Sequence, residues 1–182
     1  MRKLFTLLFL TSFGFTSCSG DGQVGPQGPQ GPTGPPGEFA KVIDVTGDFT
    51  SENGFSLSVD FNELDIEVFE SDAVLVYMKT GEDGTADGAP VEVFRMVPQT
   101  YFIGGETLQY NYDFTFFDVL IFLEGTVDLE TLASEYTDDQ VFRVVIVPAE
   151  FAETSGVDLS NMNAVLNALG VKSNEIPALE TL

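Results

Sequence analysis

Val141-Phe-Arg-Val-Val-Ile-Val147 is the stretch on which the reading of the fold turns: six of its seven residues are apolar and four are valine. β-Branched side chains in an almost wholly apolar run fit a strand covered on both faces, and such a strand belongs in the middle of a sheet. Pro148 ends it, because proline has no N–H to give to a ladder. Ala73 to Lys79 repeats the pattern with Val74, Leu75, Val76, Tyr77 and Met78, which predicts a second doubly covered strand. Val119 to Leu123 is apolar throughout and predicts a third strand, closed by Glu124-Gly125.

Other segments alternate with a period of two, as strands with one buried and one wet face do. Phe55, Leu57, Val59 and Phe61 interleave with Ser56, Ser58 and Asp60, and Leu108, Tyr110, Tyr112 and Phe114 interleave with Gln109, Asn111 and Asp113. The large residues of the second run predict core contact first and a carbohydrate-stacking platform, with Tyr101, second. Lys41 to Phe49 alternates more loosely, and Asn53-Gly54 predicts a hairpin joining it to the strand that follows. Asn62 to Asp72 reads as an acidic loop. Val91 to Val97 is a strand ended by Pro98, with Thr100 to Ile103 continuing it until Gly104-Gly105 turns the chain. Gly81 to Gly88 (GEDGTADG) reads as a solvated hairpin turn. Asp83 and Asp87 are its candidate calcium ligands, but the run lacks the alternating acids and distal glutamate of an EF-hand, so no metal is expected.

Two short helices complete the pattern. Asp128 is a candidate cap for one, with Leu129, Leu132 and Ala133 on a shared face. Ser160 is a candidate cap for the other; Met162, Val165, Leu166 and Leu169 form its apolar stripe and Gly170 its stop, so it should pack across one end or face of the sheets. Glu175 to Leu182 is a tail that lies against the domain. About seven strands with two short helices predict an all-β sandwich, with immunoglobulin-like topology first and a partly open barrel second.

Residues 40–182 form that domain, and two segments precede it. In 1–17, Met1-Arg2-Lys3 and the apolar run to Phe15 read as a signal peptide, since the run is too short for the ~20 residues of a spanning helix. In 18–39, Cys18 is the only cysteine, so no internal disulfide forms. Gly22, Gly25, Gly28, Gly31, Gly34 and Gly37 then recur at every third position, and Pro26, Pro29, Pro32 and Pro35 each follow a glycine. Only glycine fits the axis of a collagen helix, and proline favours the extended polyproline conformation. The six triplets from Gly22 to Phe39 reach about 55 Å if extended. That suits a semi-rigid spacer, with a homotrimeric stalk as the second reading.

Without Arg2 and Lys3, five basic residues face 29 acidic ones, a formal charge of −24. Nucleic acid and anionic lipid head groups are therefore poor partners, and no nucleic acid is expected. The chain contains no histidine, which removes the commonest general base and most zinc sites, and no glycine fingerprint for a nucleotide. Only carboxylate chemistry is left to an enzyme. No catalytic residue and no cofactor is expected.

Cys18 directly after its leader resembles a bacterial lipobox, which implies cleavage before Cys18 and its lipidation; Ser19 resembles the residue that follows the cysteine in lipoproteins sent to the outer membrane. Together with GPQGPQGPTGPPG, VFESDAVLVY (68–77), LQYNYDFT (108–115) and FRVVIVPAEFA (142–152), the chain is similar to small collagen-like lipoproteins of Bacteroidota, a family with no established activity. The resemblance implies a membrane partner through the lipid, at the periplasmic or surface-exposed face of the outer membrane. The expected function is non-catalytic: a sandwich displayed on a spacer for adhesion or envelope organisation. The alternative is an extracytoplasmic binding module for a glycan, peptide or calcium.

Overall fold

The computed structural model describes residues 41–86 and 88–180. The leader, Cys18, the six repeat glycines and Asp87 lie outside them. Nine strands are described: β1 (Lys41–Gly47), β2 (Ser56–Asp60), β3 (Ala73–Ala86), β4 (Ala89–Met96), β5 (Gln99–Ile103), β6 (Glu106–Phe114), β7 (Asp118–Gly125), β8 (Gln140–Val147) and β9 (Ala178–Glu180). They form two sheets, of order β4-β3-β8-β1-β9 and β2-β7-β6-β5. Pairing is antiparallel except where β9 runs parallel to β1. Helices α1 (Ala149–Thr154) and α2 (Met162–Leu169) follow β8.

The strand VFRVVIV occupies the centre of the five-stranded sheet, between β3 and β1. Its Phe142, Val144 and Ile146 join Ile43, Val45, Val74 and Val76 in the core between the sheets, against Leu57, Val59, Leu108, Tyr110, Val119 and Ile121. Its Val145 and Val147, with Val42, Leu75 and Tyr77, face the other way and meet Met162, Val165, Leu166 and Leu169 of α2. Cover on both sides is why β3 and β8 carry nearly continuous apolar runs. At the start of α2 the Asn161 side chain accepts the Ala164 N–H at 3.1 Å, and Gly170 closes it with φ +71°. Ser160, expected as the cap, instead donates its hydroxyl to Asp158 at 2.7 Å.

Several local expectations are corrected. The hairpin from Lys41–Phe49 to Phe55–Phe61 does not form: β1 lies in one sheet and β2 in the other. Asn53-Gly54 does make a turn, with Gly54 at φ +65°, but the turn carries the chain between layers. β1 pairs with β8 along Lys41 to Gly47, a ladder buried on both faces that outweighs local pairing. Gly81–Gly88 is not simply a loop, because β3 and β4 stay paired through it to Ala86↔Ala89 with two register shifts. The helix after Asp128 is replaced by two 3-10 turns, Leu129–Thr131 and Ser134–Tyr136. Asp128 caps the first, accepting the Glu130 N–H at 3.1 Å, but Leu132 and Ala133 between the turns are extended. Leu129, Leu132 and Tyr136 all pack against the core from this short path. Thr100–Ile103 does not prolong the preceding strand; the chain changes sheets at the cis Val97–Pro98 bond and forms β5.

Candidate functional site

Of the candidate metal ligands, Asp83 stands exposed in the β3–β4 ribbon, and Asp87 lies outside the described residues. Among the described residues no group of three or more His, Cys, Asp or Glu is placed to hold a metal ion. Of the tyrosines expected to serve the core first and a stacking platform second, Tyr110 is buried while Tyr101 and Tyr112 are half-buried. Tyr110 is buried, and its hydroxyl donates to the Tyr136 carbonyl at 2.7 Å. Tyr112 donates to the Val74 carbonyl at 3.2 Å, and Tyr101 packs edge-on against Tyr110 with ring centroids 5.6 Å apart. Burial raises the phenol pKa of both Tyr110 and Tyr112 above the usual range. These rings fasten the sheets together.

A charged cluster that sequence reasoning missed sits on the outer face of the five-stranded sheet. Arg143 projects from the central strand opposite Asp44 of β1, and its side chain is 3% exposed. Its Nε and one terminal nitrogen donate to the two Asp44 oxygens at 2.7 and 2.8 Å, a bidentate pair. The guanidinium lies 4.4 Å from the Phe94 ring centroid, with the Met162 sulfur at 3.6 Å and a Glu92 oxygen at 3.9 Å. The only signal in the sequence was a lone charge inside an apolar run. Beside it, the Lys79 ammonium donates to Glu92 at 2.9 Å and to Glu82 at 3.0 Å, and these bonds raise the lysine pKa. Arg143, Glu82, Glu92, Phe94 and Met162 line a cleft of about 910 Å³ between the ribbon and α2. Glu82 and Glu92 are drawn together on one ammonium. The cluster clamps the ribbon to the sheet. A second pocket, of about 510 Å³, opens where β1 begins, with Lys41, Ile43, Leu64, Ile66, Ile176 and Leu179 among its walls.

The two outer faces of the sandwich differ. α2 covers the five-stranded sheet, while strand β7 of the other sheet turns Val119, Ile121 and Leu123 inward and leaves Leu120 and Phe122 outward, Leu120 being 37% exposed. Leu120 pairs with Ser58 and Asp113, and Phe122 with Ser56 and Asn111, so the apolar side chains stand among small and polar ones. Phe102 of β5 is 81% exposed. Phe69, Phe114, Phe116 and Phe117 add exposed rings around the β6–β7 turn and the loop after β2. Charge is divided in the same way. Lys41, Lys79, Arg95 and Arg143 belong to the five-stranded sheet and Lys172 follows α2, whereas β2, β5, β6 and β7 carry Asp60, Glu106, Asp113, Asp118 and Glu124 and no cation.

Among the described residues, fold and surface thus define an acidic two-sheet β-domain in which a helix covers one outer face and none covers the other. No family model matches the chain, and no curated protein or solved structure matches it either.

Proposed function

We propose that the chain is a non-catalytic, lipid-anchored cell-envelope protein that displays its β-domain on a short collagen-like spacer, for adhesion or envelope organisation. The observation that carries this reading is the order of parts in the sequence: an apolar leader, Cys18, and the glycine triplets from Gly22 to Gly37, ahead of a domain whose first strand starts at Lys41. Lipid on Cys18 holds the chain to the outer membrane, as in the collagen-like lipoproteins of Bacteroidota that it resembles. Within the sandwich, β2, β7 and β6 stand in the order of immunoglobulin strands B, E and D. β4, β3 and β8 stand in the order C′, C and F, with β1 beside β8 where that fold has its last strand. We read the topology as immunoglobulin-like on that basis.

Fractionation of cells expressing Cys18→Ala tests the anchor. The variant is expected in the soluble fraction, and its persistence in membranes refutes the reading. Sedimentation of the lipid-free chain separates the spacer, which leaves a monomer, from the trimeric stalk. A binding module remains the second reading, favoured by the bare face of the four-stranded sheet.

A further inference from the structure

We infer that the outer face of the four-stranded sheet, centred on Leu120 and Phe122, is a docking surface for an extended, cationic segment of a partner protein that carries apolar side chains between its basic ones. The inference deepens the display reading by naming what the displayed domain holds.

Its first support is burial. A strand buried on one face needs apolar residues at every second position only, as in β2, where Ser56 and Ser58 face outward. β7 departs from that rule and sets Leu120 and Phe122 on its outward side, directly across from those serines. Beside these small neighbours Leu120 is exposed and Phe122 half-buried, both along one line of the sheet. The corresponding face of the other sheet is filled by Val165, Leu166 and Leu169 of α2, whereas among the described residues no helix covers Leu120 and Phe122.

Charge selects the occupant. Asp60, Asp113, Asp118 and Glu124 lie along β2, β6 and β7, and these strands contain no lysine or arginine to offset them. A second copy docking by the same face would bring Asp113, Asp118 and Glu124 against their own kind, and like charges in juxtaposition are repelled. Anionic lipid head groups and nucleic acid are repelled for the same reason. A segment with lysine or arginine flanking apolar residues satisfies both features: its cations meet the acidic rim while its side chains cover Leu120 and Phe122.

Fluorescence anisotropy with the full chain carrying Cys18→Ser tests this with defined probes. A labelled peptide alternating lysine and leucine is expected to bind about tenfold more tightly than one alternating lysine and serine, and binding weakens with salt. Leu120→Ser with Phe122→Ser should weaken the lysine–leucine peptide by about tenfold, whereas Val91→Ser, at an exposed apolar site on the ribbon, should leave it unchanged. Urea unfolding of each variant verifies that it is folded, and the outward side chains are replaceable because they lie outside the core. Equal affinity for the two cationic peptides overturns the proposal, since only the acidity would then be recognised. So does a dimer that the same substitutions dissociate, or Leu120-dependent partition onto phosphatidylcholine vesicles. Membrane fractionation is read separately: an anchored chain that binds neither peptide overturns the docking face and leaves the display intact, and the converse overturns only the anchor.

Discussion

Removing Asp44 should cost the domain more than removing Arg143, although both substitutions break the same ion pair. The Arg143 side chain is 3% exposed and that of Asp44 21%. In Asp44→Ala the guanidinium stays buried beneath Met162 with only Glu92, at 3.9 Å, as a counter-charge. Stranding a buried charge costs about 3–5 kcal/mol; water at the Asp44 site lowers this to about 3 kcal/mol. Arg143→Met keeps an apolar stem against Phe94 and Met162, and leaves Asp44 in reach of water. That change gives up the contact with the Phe94 ring, so its cost is about 1 kcal/mol. The double variant should match Arg143→Met within about 0.5 kcal/mol, a coupling of about 2.5–3.5 kcal/mol. Urea unfolding followed by circular dichroism, with an unchanged slope, measures all four corners of the cycle. In thermal scans Asp44→Ala should melt about 8 °C lower. If Arg143→Met costs as much as Asp44→Ala, or the two costs simply add, the buried guanidinium is not held by this pair and the reasoning fails.

Alkaline titration should unfold the domain cooperatively. Burial raises the phenol pKa of Tyr77, Tyr110 and Tyr112, so the folded state keeps protons that the unfolded chain releases at about pH 10. The stability they contribute is complete below about pH 10 and is lost as pH rises through the folded values. The chain has no tryptophan, so tyrosinate absorbance reports cleanly; five tyrosines ionising like free phenol in a folded domain would contradict the burial. Gly125→Ala should cost about 3 kcal/mol, because a Cβ there would stand 2.0 Å from the Thr107 carbonyl oxygen. Gly81→Ala has the same φ of +155° but nothing within 4 Å, and should cost about 1 kcal/mol, so equal losses in urea midpoints would refute the steric account.

Elements whose environment is written in their own residues were legible: the apolar runs of β3 and β8, the stripe Met162, Val165, Leu166 and Leu169, and the stop at Gly170. Choice of partner was not. A period of two places Ile43 and Leu57 on inward faces equally well whether their strands share a sheet or oppose each other, and Asn53-Gly54 makes a turn in either case. The outward placing of Leu120 and Phe122 was hidden because an apolar strand reads alike with its second face covered or open. The clamp at Arg143 joins residues 99 positions apart, a distance no local pattern spans. Cys18 and the repeat glycines, which carry the display reading, are legible only as sequence.

The placing of the last strand bears on mechanical load. β1 is the first element after the residues that lead to Cys18, and it is held along Lys41 to Gly47 by β8 on one side and at Asp44 to Thr46 by β9 on the other. A pull on the chain ahead of Lys41, directed along the strand, loads both ladders in shear, so their hydrogen bonds must yield together instead of opening singly from one end. Resistance to such a pull is a matter of unfolding rate. The three residues of β9 act here as a brace: the tail of the domain secures the strand through which force from its head would enter.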